Sequence, residues 1–199
     1  MTTNKQQDSN WALLPGIGLG KAVFDMTRLE VNALKDVLGE IIGENNLLIQ
    51  KEQLLATYDM LKDFFTEEDL KTVMEALDET GAQRGFIETE YRTTGLTLEY
   101  EDGKLTEFFA DNRAKQLHFQ GIPVFSNPLS LIKQMAFALQ ENPLIKDDEL
   151  VFQKSNIYLF SFIREDLTEN DANNRTMTWR KHPRPLSVSL SDYQMLKVI

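Results

Sequence analysis

Along the first part of the chain, apolar residues recur three or four positions apart, the spacing of helices packed on one face. Val31, Leu34 and Leu38 keep that spacing between a cap at Asp25 or Thr27 and a stop at Gly39. Gly43, Asn45 and Asn46 read as a loop. Leu54, Leu55, Tyr58, Leu61 and Phe65 mark a second helix from Lys51 to about Phe64. Thr66-Glu67-Glu68-Asp69 reads as a capping box, with Asp69 in the place usually held by Glu or Gln. It opens a third helix that buries Leu70, Val73, Met74 and Leu77 and stops at Gly81.

The period then changes from helical to alternating. Phe86 to Arg92, Leu96 to Tyr100 and Leu105 to Phe109 predict three strands, the last two joined by a tight Asp102-Gly103 turn. Lys21 to Phe24, Lys115 to Phe119 and Ile122 to Phe125 predict short strands. Asn127-Pro128 starts a further helix that runs to about Gln140. Leu150 to Gln153 and Ile157 to Ile163 predict another strand pair, and Glu165 to Arg175 a loop. Met177 to Trp179 and Leu186 to Leu190 are candidates to close the sheet.

The pattern repeats. Gly20, Val23, Phe24, Asp25, Val31, Leu34 and Leu38 match Gly121, Val124, Phe125, Ser126, Ile132, Met135 and Leu139 at an offset of 101. Tyr91, Gly95, Leu96 and Leu98 match Phe152, Asn156, Ile157 and Leu159 at an offset of 61. The change of offset, 101 − 61 = 40, is attributed to the extra helices between Lys51 and Thr80. The expected fold is therefore α+β: two strand–helix–β-meander pseudo-repeats forming antiparallel sheets packed by helices, with an inserted helical pair. Residues 1–10 read as a disordered tail and 11–199 as one domain, with pseudo-repeats at 20–110 and 121–199. A long sheet face of this kind suits protein binding.

Composition narrows the function. The 199 residues include no cysteine, which excludes disulfides and thiolate chemistry. The polar start of the chain and the lack of a long apolar run lead us to expect a cytoplasmic protein with no membrane partner. The net charge of −10 is lopsided: Asp36 to Glu107 holds 18 acidic and 6 basic residues, and the remainder 13 and 15. Phosphate neutralisation needs the opposite sign, so nucleic acid is not expected as a direct ligand and a basic protein is.

Catalytic motifs are near misses. Pro15-Gly-Ile-Gly-Leu-Gly-Lys-Ala22 has Pro where a phosphate loop needs its first Gly and Ala where it needs the hydroxyl. His118 and His182 have no partner at metal-ligand spacing. Asp147-Asp148-Glu149 could serve a metal-dependent enzyme, yet it lacks the alternation and the Gly of a calcium loop. Glu88 and Glu90 share one strand face, and Glu99 and Glu101 share one of the next, reading as solvated patches that could meet basic residues. Arg175, Arg180, Lys181 and Arg184 surround Trp179 and His182, and internal pairing with the chain's own carboxylates is the expected role. No catalytic residue, metal or cofactor is expected.

Gly16-Ile-Gly-Leu-Gly20 through Thr27-Arg-Leu-Glu-Val31, with Gly95-Leu-Thr-Leu-Glu-Tyr100 and Gly121-Ile-Pro-Val-Phe125, resembles small bacterial proteins encoded beside polymorphic or contact-dependent toxins. The resemblance implies a cytoplasmic immunity protein that binds one cognate toxin domain and covers its active site. It carries over no binding residues. Charge alone points to Glu67, Glu68, Asp69, Glu99, Glu101 and Asp102 as the surface for a basic toxin such as a nuclease. The rival readings are a carboxylate metalloenzyme and a generic interaction scaffold.

Overall fold

The Gly16–Gly20 run, with the expected short strand after it, folds into a tight three-stranded meander. Its strands are β1 (Leu13–Leu14), β2 (Gly18–Leu19) and β3 (Ala22–Val23), after a single 3-10 turn at Ser9–Trp11. A Cβ on Gly18 would stand 2.2 Å from the Ala22 carbonyl oxygen, so only glycine lets β2 and β3 approach this closely. The structure is a computed structural model and describes residues 9–61, 64, 66–84, 86–183 and 192–198. Most of the expected tail and the expected strand at Leu186 to Leu190 lie outside the described residues.

The first helix is α1 (Arg28–Asn32), closed at its start by a full capping box between Thr27 and Glu30. It breaks at Ala33 and Leu34 before a second short piece, α2 (Lys35–Leu38), which ends on Gly39 at φ 87°. Ile41–Asn46, expected as a loop, is a strand, β4. An inserted helical hairpin comes next, α3 (Leu47–Leu61) and α4 (Glu67–Arg84). α4 opens on the expected Thr66–Asp69 box and runs through Gly81 instead of stopping there. β5 (Ile87–Arg92), β6 (Leu96–Glu101) and β7 (Lys104–Asp111) make the first meander. Asp102 (φ 50°) and Gly103 (φ 73°) form the turn of the β6–β7 hairpin, the left-handed pair that a two-residue hairpin loop requires.

The second half repeats the plan. β8 (His118–Phe119) and β9 (Ile122–Pro123) form a small hairpin, and Asn127 caps α5 (Pro128–Leu139). Then come β10 (Leu144–Lys146), β11 (Glu149–Phe152), β12 (Ile157–Phe160), β13 (Thr176–Arg180) and β14 (Gln194–Met195). Among the described residues, nine strands join in one antiparallel sheet in the order β14-β10-β11-β12-β13-β7-β6-β5-β4. The two meanders therefore meet edge to edge through β7 and β13, with Phe109 opposite Thr178. The β4–β5 link is α3 and α4, whereas the equivalent β10–β11 link is only Asp147 and Asp148.

The structure corrects the register of the repeat by one residue in two places. Phe24 N donates to Ile17 O and Val124 N to Leu117 O, while Thr27 and Asn127 both cap, so the hairpins and caps match at 100. The extra residue enters at the break between α1 and α2, and Gly39 then answers Gln140 at 101. Before β6 the offset is 60, because three residues (93–95) join β5 to β6 and four (153–156) join β11 to β12.

One sheet face, α1, α2, α5 and the Gly-rich meander share a single hydrophobic core. Leu98, Phe108, Leu159, Met177 and Trp179 of the sheet meet Val31, Leu131, Ile132 and Met135 of the helices. Phe108 and Trp179 stack at 5.0 Å between centroids, and the Trp179 indole donates to Gly18 O at 3.2 Å. Such a ring pair adds about 0.5–1.5 kcal/mol beyond its burial.

Candidate functional site

Glu88, Glu90 and Arg92 point to the helix side of β5, since Glu90 pairs with Leu98 and Glu88 with Tyr100. Glu99 pairs with Thr89 and lies on the opposite face. The expectation that Glu88 and Glu90 form a solvated face is thus overturned: Glu90 is wholly buried and Arg92 nearly so. Arg28 of α1 reaches down to Glu90, to Glu44 of β4 and, at 3.3 Å, to Glu88. Arg92 pairs with the other Glu90 oxygen and donates to Asn32 Oδ1 at 2.5 Å and Gly39 O at 3.1 Å. Tyr100 donates its hydroxyl to Glu90 Oε2 at 3.1 Å.

The electrostatics follow from this crowding. Burial pulls the Arg28 pKa down, but the hydrogen bond and charge of Glu90, with Glu44 and Glu88, outweigh it and raise it. Burial first, and then the Glu90 charge, push the Tyr100 phenol well above its ordinary value. The cluster locks α1 to β4 and β5.

The basic segment near the C-terminus also turns inward, as the sequence suggests for it. Arg180 sits over Glu107 at 2.5 Å and Glu99 at 3.5 Å, two carboxylates directly opposite in the β6–β7 register. Arg175 is held by Glu169, Asn170 O and Phe125 O, and Lys181 reaches Asp25 at 2.7 Å. Arg184 lies outside the described residues. Glu99, expected to meet a partner, is therefore part of an internal clamp. Asp102 is exposed, and its carboxylate accepts from Phe86 N at 3.2 Å. Glu101 is half-buried on the rim of the same hairpin.

Glu67, Glu68 and Asp69 are exposed and sit in the first turn of α4, where negative charge complements the helix dipole. Hydrogen bonds from the Thr66 backbone N–H and hydroxyl hold the Asp69 carboxyl below its ordinary pKa. These acids stand on the hairpin, on a different element from Glu99, Glu101 and Asp102.

The exposure of the hairpin is the feature that sequence pattern conceals. Among its described side chains none is buried. Leu54, Thr57, Tyr58, Asp69, Leu70 and Val73 line a groove between α3 and α4. Leu55 and Val73 are nearly half exposed, and Met60 and Phe64 each keep 83% of their surface. Residues 51–80 carry nine acidic and three basic side chains, and every described acid among them is exposed.

On the face of the sheet away from the core, Leu144, Val151, Tyr158, Thr178, Phe109, Thr97 and Tyr91 fall in one cross-strand row. Tyr91 is exposed on it, and so is Phe160, two residues beyond Tyr158 on β12. Asp147 and Asp148 lie in an open cleft with Arg164, Glu165, Asp166 and Asn170. Asp148 Oδ2 accepts from the Ser161 hydroxyl at 2.7 Å, and the Asp147 backbone N donates to Glu165 Oε1 at 3.0 Å. Among the described residues, no three His, Asp or Glu side chains are placed to hold a metal ion, and no helix is long and apolar enough to cross a membrane. No protein-family model, curated protein or solved structure matches the chain.

Proposed function

We propose that the chain is a non-catalytic binding protein that captures a basic protein, and that this partner is the toxin whose gene adjoins its own. It then acts as the toxin's immunity protein. One observation carries the reading: the α3–α4 hairpin, present in one repeat only, displays an uncovered apolar stripe among exposed carboxylates. Contiguous exposed apolar surface rimmed by polar groups is the mark of an interaction site. The acids would speed encounter with a basic partner, and apolar anchors would set the dwell time.

The hairpin replaces the β6 carboxylates as the centre of the proposed surface, because Glu99 is already held by Arg180. Glu67, Glu68 and Asp69 remain in it. The test is co-expression with the product of the neighbouring gene. We expect that product to arrest growth alone, and to co-purify harmlessly with this chain. A harmless neighbour, or a toxic one that this chain neither binds nor blocks, would refute the reading.

A further inference from the structure

We infer that the groove between α3 and α4 receives a basic amphipathic helix of the bound protein, completing a three-helix bundle. The inference rests on the reading of the hairpin as the partner-binding element and adds the form that the partner takes.

A helix with an apolar stripe gains its stability by burying that stripe against another layer. Among the described side chains of these two helices none is buried: Leu54, Tyr58 and Leu70 are half-buried in the groove, and Val73 on its wall is 46% exposed. A third element would finish the layer. The fold does not need the hairpin to connect its strands, since Asp147 and Asp148 make the same link in the second repeat. A purely structural origin therefore leaves its uncovered stripe unexplained.

Two properties select the occupant. The groove wall is apolar but for Thr57 and Asp69, so a strand lying there would leave backbone groups without partners, whereas a helix satisfies its own. The setting is acidic: Asp69 lines the groove, Glu67 and Glu68 stand beside it in the first turn of α4, and residues 51–80 carry nine acidic side chains against three basic. A helix with apolar residues at i, i+3, i+4 and i+7, flanked by Lys or Arg, matches both.

The probe is a peptide of roughly 18 residues made only of Leu and Lys, with Leu at helical spacing. Its controls are a scrambled isomer of the same composition and a Leu/Glu counterpart. The chain has no cysteine, so Thr57→Cys accepts a single environment-sensitive dye on the exposed rim of the groove. At physiological salt we expect saturable binding of the Leu/Lys peptide with a blue shift of the dye. The scrambled isomer should bind at least about tenfold more weakly, and the Leu/Glu peptide should not saturate. In the unlabelled chain, Val73→Asn should weaken Leu/Lys binding by about tenfold with an unchanged far-ultraviolet spectrum.

Equal binding of the scrambled isomer would reduce the effect to charge and overturn the inference. So would a dye that does not respond while peptide binds, because the peptide would then sit elsewhere. Neither result touches the toxin-neutralising reading, which stands or falls on the neighbouring gene product.

Discussion

Glu90 occupies, in the first half of the sheet, the position that Leu150 occupies in the second. Glu90 faces Leu98 across β5 and β6, Leu150 faces Leu159 across β11 and β12, and both are buried. The same relation sets Glu44 against Ile145 and Arg92 against Phe152. One half thus holds its helix by ion pairs through a layer that the other half fills with hydrocarbon. A buried ion pair is seldom better than a well-packed apolar pair, but breaking one partner is costly.

Glu90→Leu alone should therefore cost about 3–5 kcal/mol, since Arg92 would stay buried without its counter-charge. Adding Arg92→Phe, which copies the second repeat, should recover much of that loss. Urea unfolding of both singles and the double variant measures the coupling. Costs that simply add would show that the buried charges do not depend on each other.

Tyr100 makes the cluster sensitive to alkali. Its folded pKa is raised, so the folded state prefers the neutral phenol more than the unfolded chain does. That contribution is complete below the unfolded value of about 10 and fades as pH rises beyond it. As pH rises above about 10, unfolding free energy should fall more steeply in the parent chain than in Tyr100→Phe. At about pH 7 the variant should lose about 1–2 kcal/mol, the cost of one hydroxyl bond to a buried carboxylate. Parallel pH curves for the two proteins would mean that the phenol does not titrate with unfolding.

Where local chemistry dictates structure, the chain is readable. Thr27, Thr66 and Asn127 cap helices, Asp102 and Gly103 turn a hairpin, and the alternation from Leu96 to Tyr100 matches a buried face. β4 escapes a local reading because Gly43, Asn45 and Asn46 are strand breakers. They pair because β5 offers a long partner and Tyr91 lies over Gly43, where a Cβ would come within 3.3 Å of its ring. α4 continues through Gly81 against a local cost of about 1 kcal/mol. Alternation places Glu90 beside Glu88 and so suggests a solvated pair. Only tertiary structure brings Arg28, 62 residues away, down onto it.

Arg180 neutralises a like-charge pair that sequence spacing conceals. Glu99 and Glu107 lie opposite each other on β6 and β7, an arrangement that destabilises a sheet unless something bridges it. Arg180 does so from β13. Arg180→Met should lower stability by about 1–3 kcal/mol, and adding Glu107→Gln should restore part of the loss. Thermal melts at low and at high salt would check both, because screening should narrow the gap between Arg180→Met and the parent. An Arg180→Met protein as stable as the parent at low salt would show that the clamp contributes nothing.

Excising the hairpin separates its role in folding from its role in binding. The second repeat joins the equivalent strands with two residues, and among the hairpin's described side chains none is buried. A chain in which a short Asn-Gly turn replaces residues 47–85 should keep the nine-stranded sheet. Its Trp179 fluorescence should match the parent's, since Phe108 and Gly18, the partners of that indole, lie outside the excised segment. Its unfolding free energy should lie within about 1 kcal/mol of the parent's, the range for changes that touch no core packing. If the hairpin is instead a folding element, the excised chain will unfold at markedly lower urea or fail to fold. If it is the binding element, the chain will fold normally and lose the partner, a combination that no general loss of stability can produce.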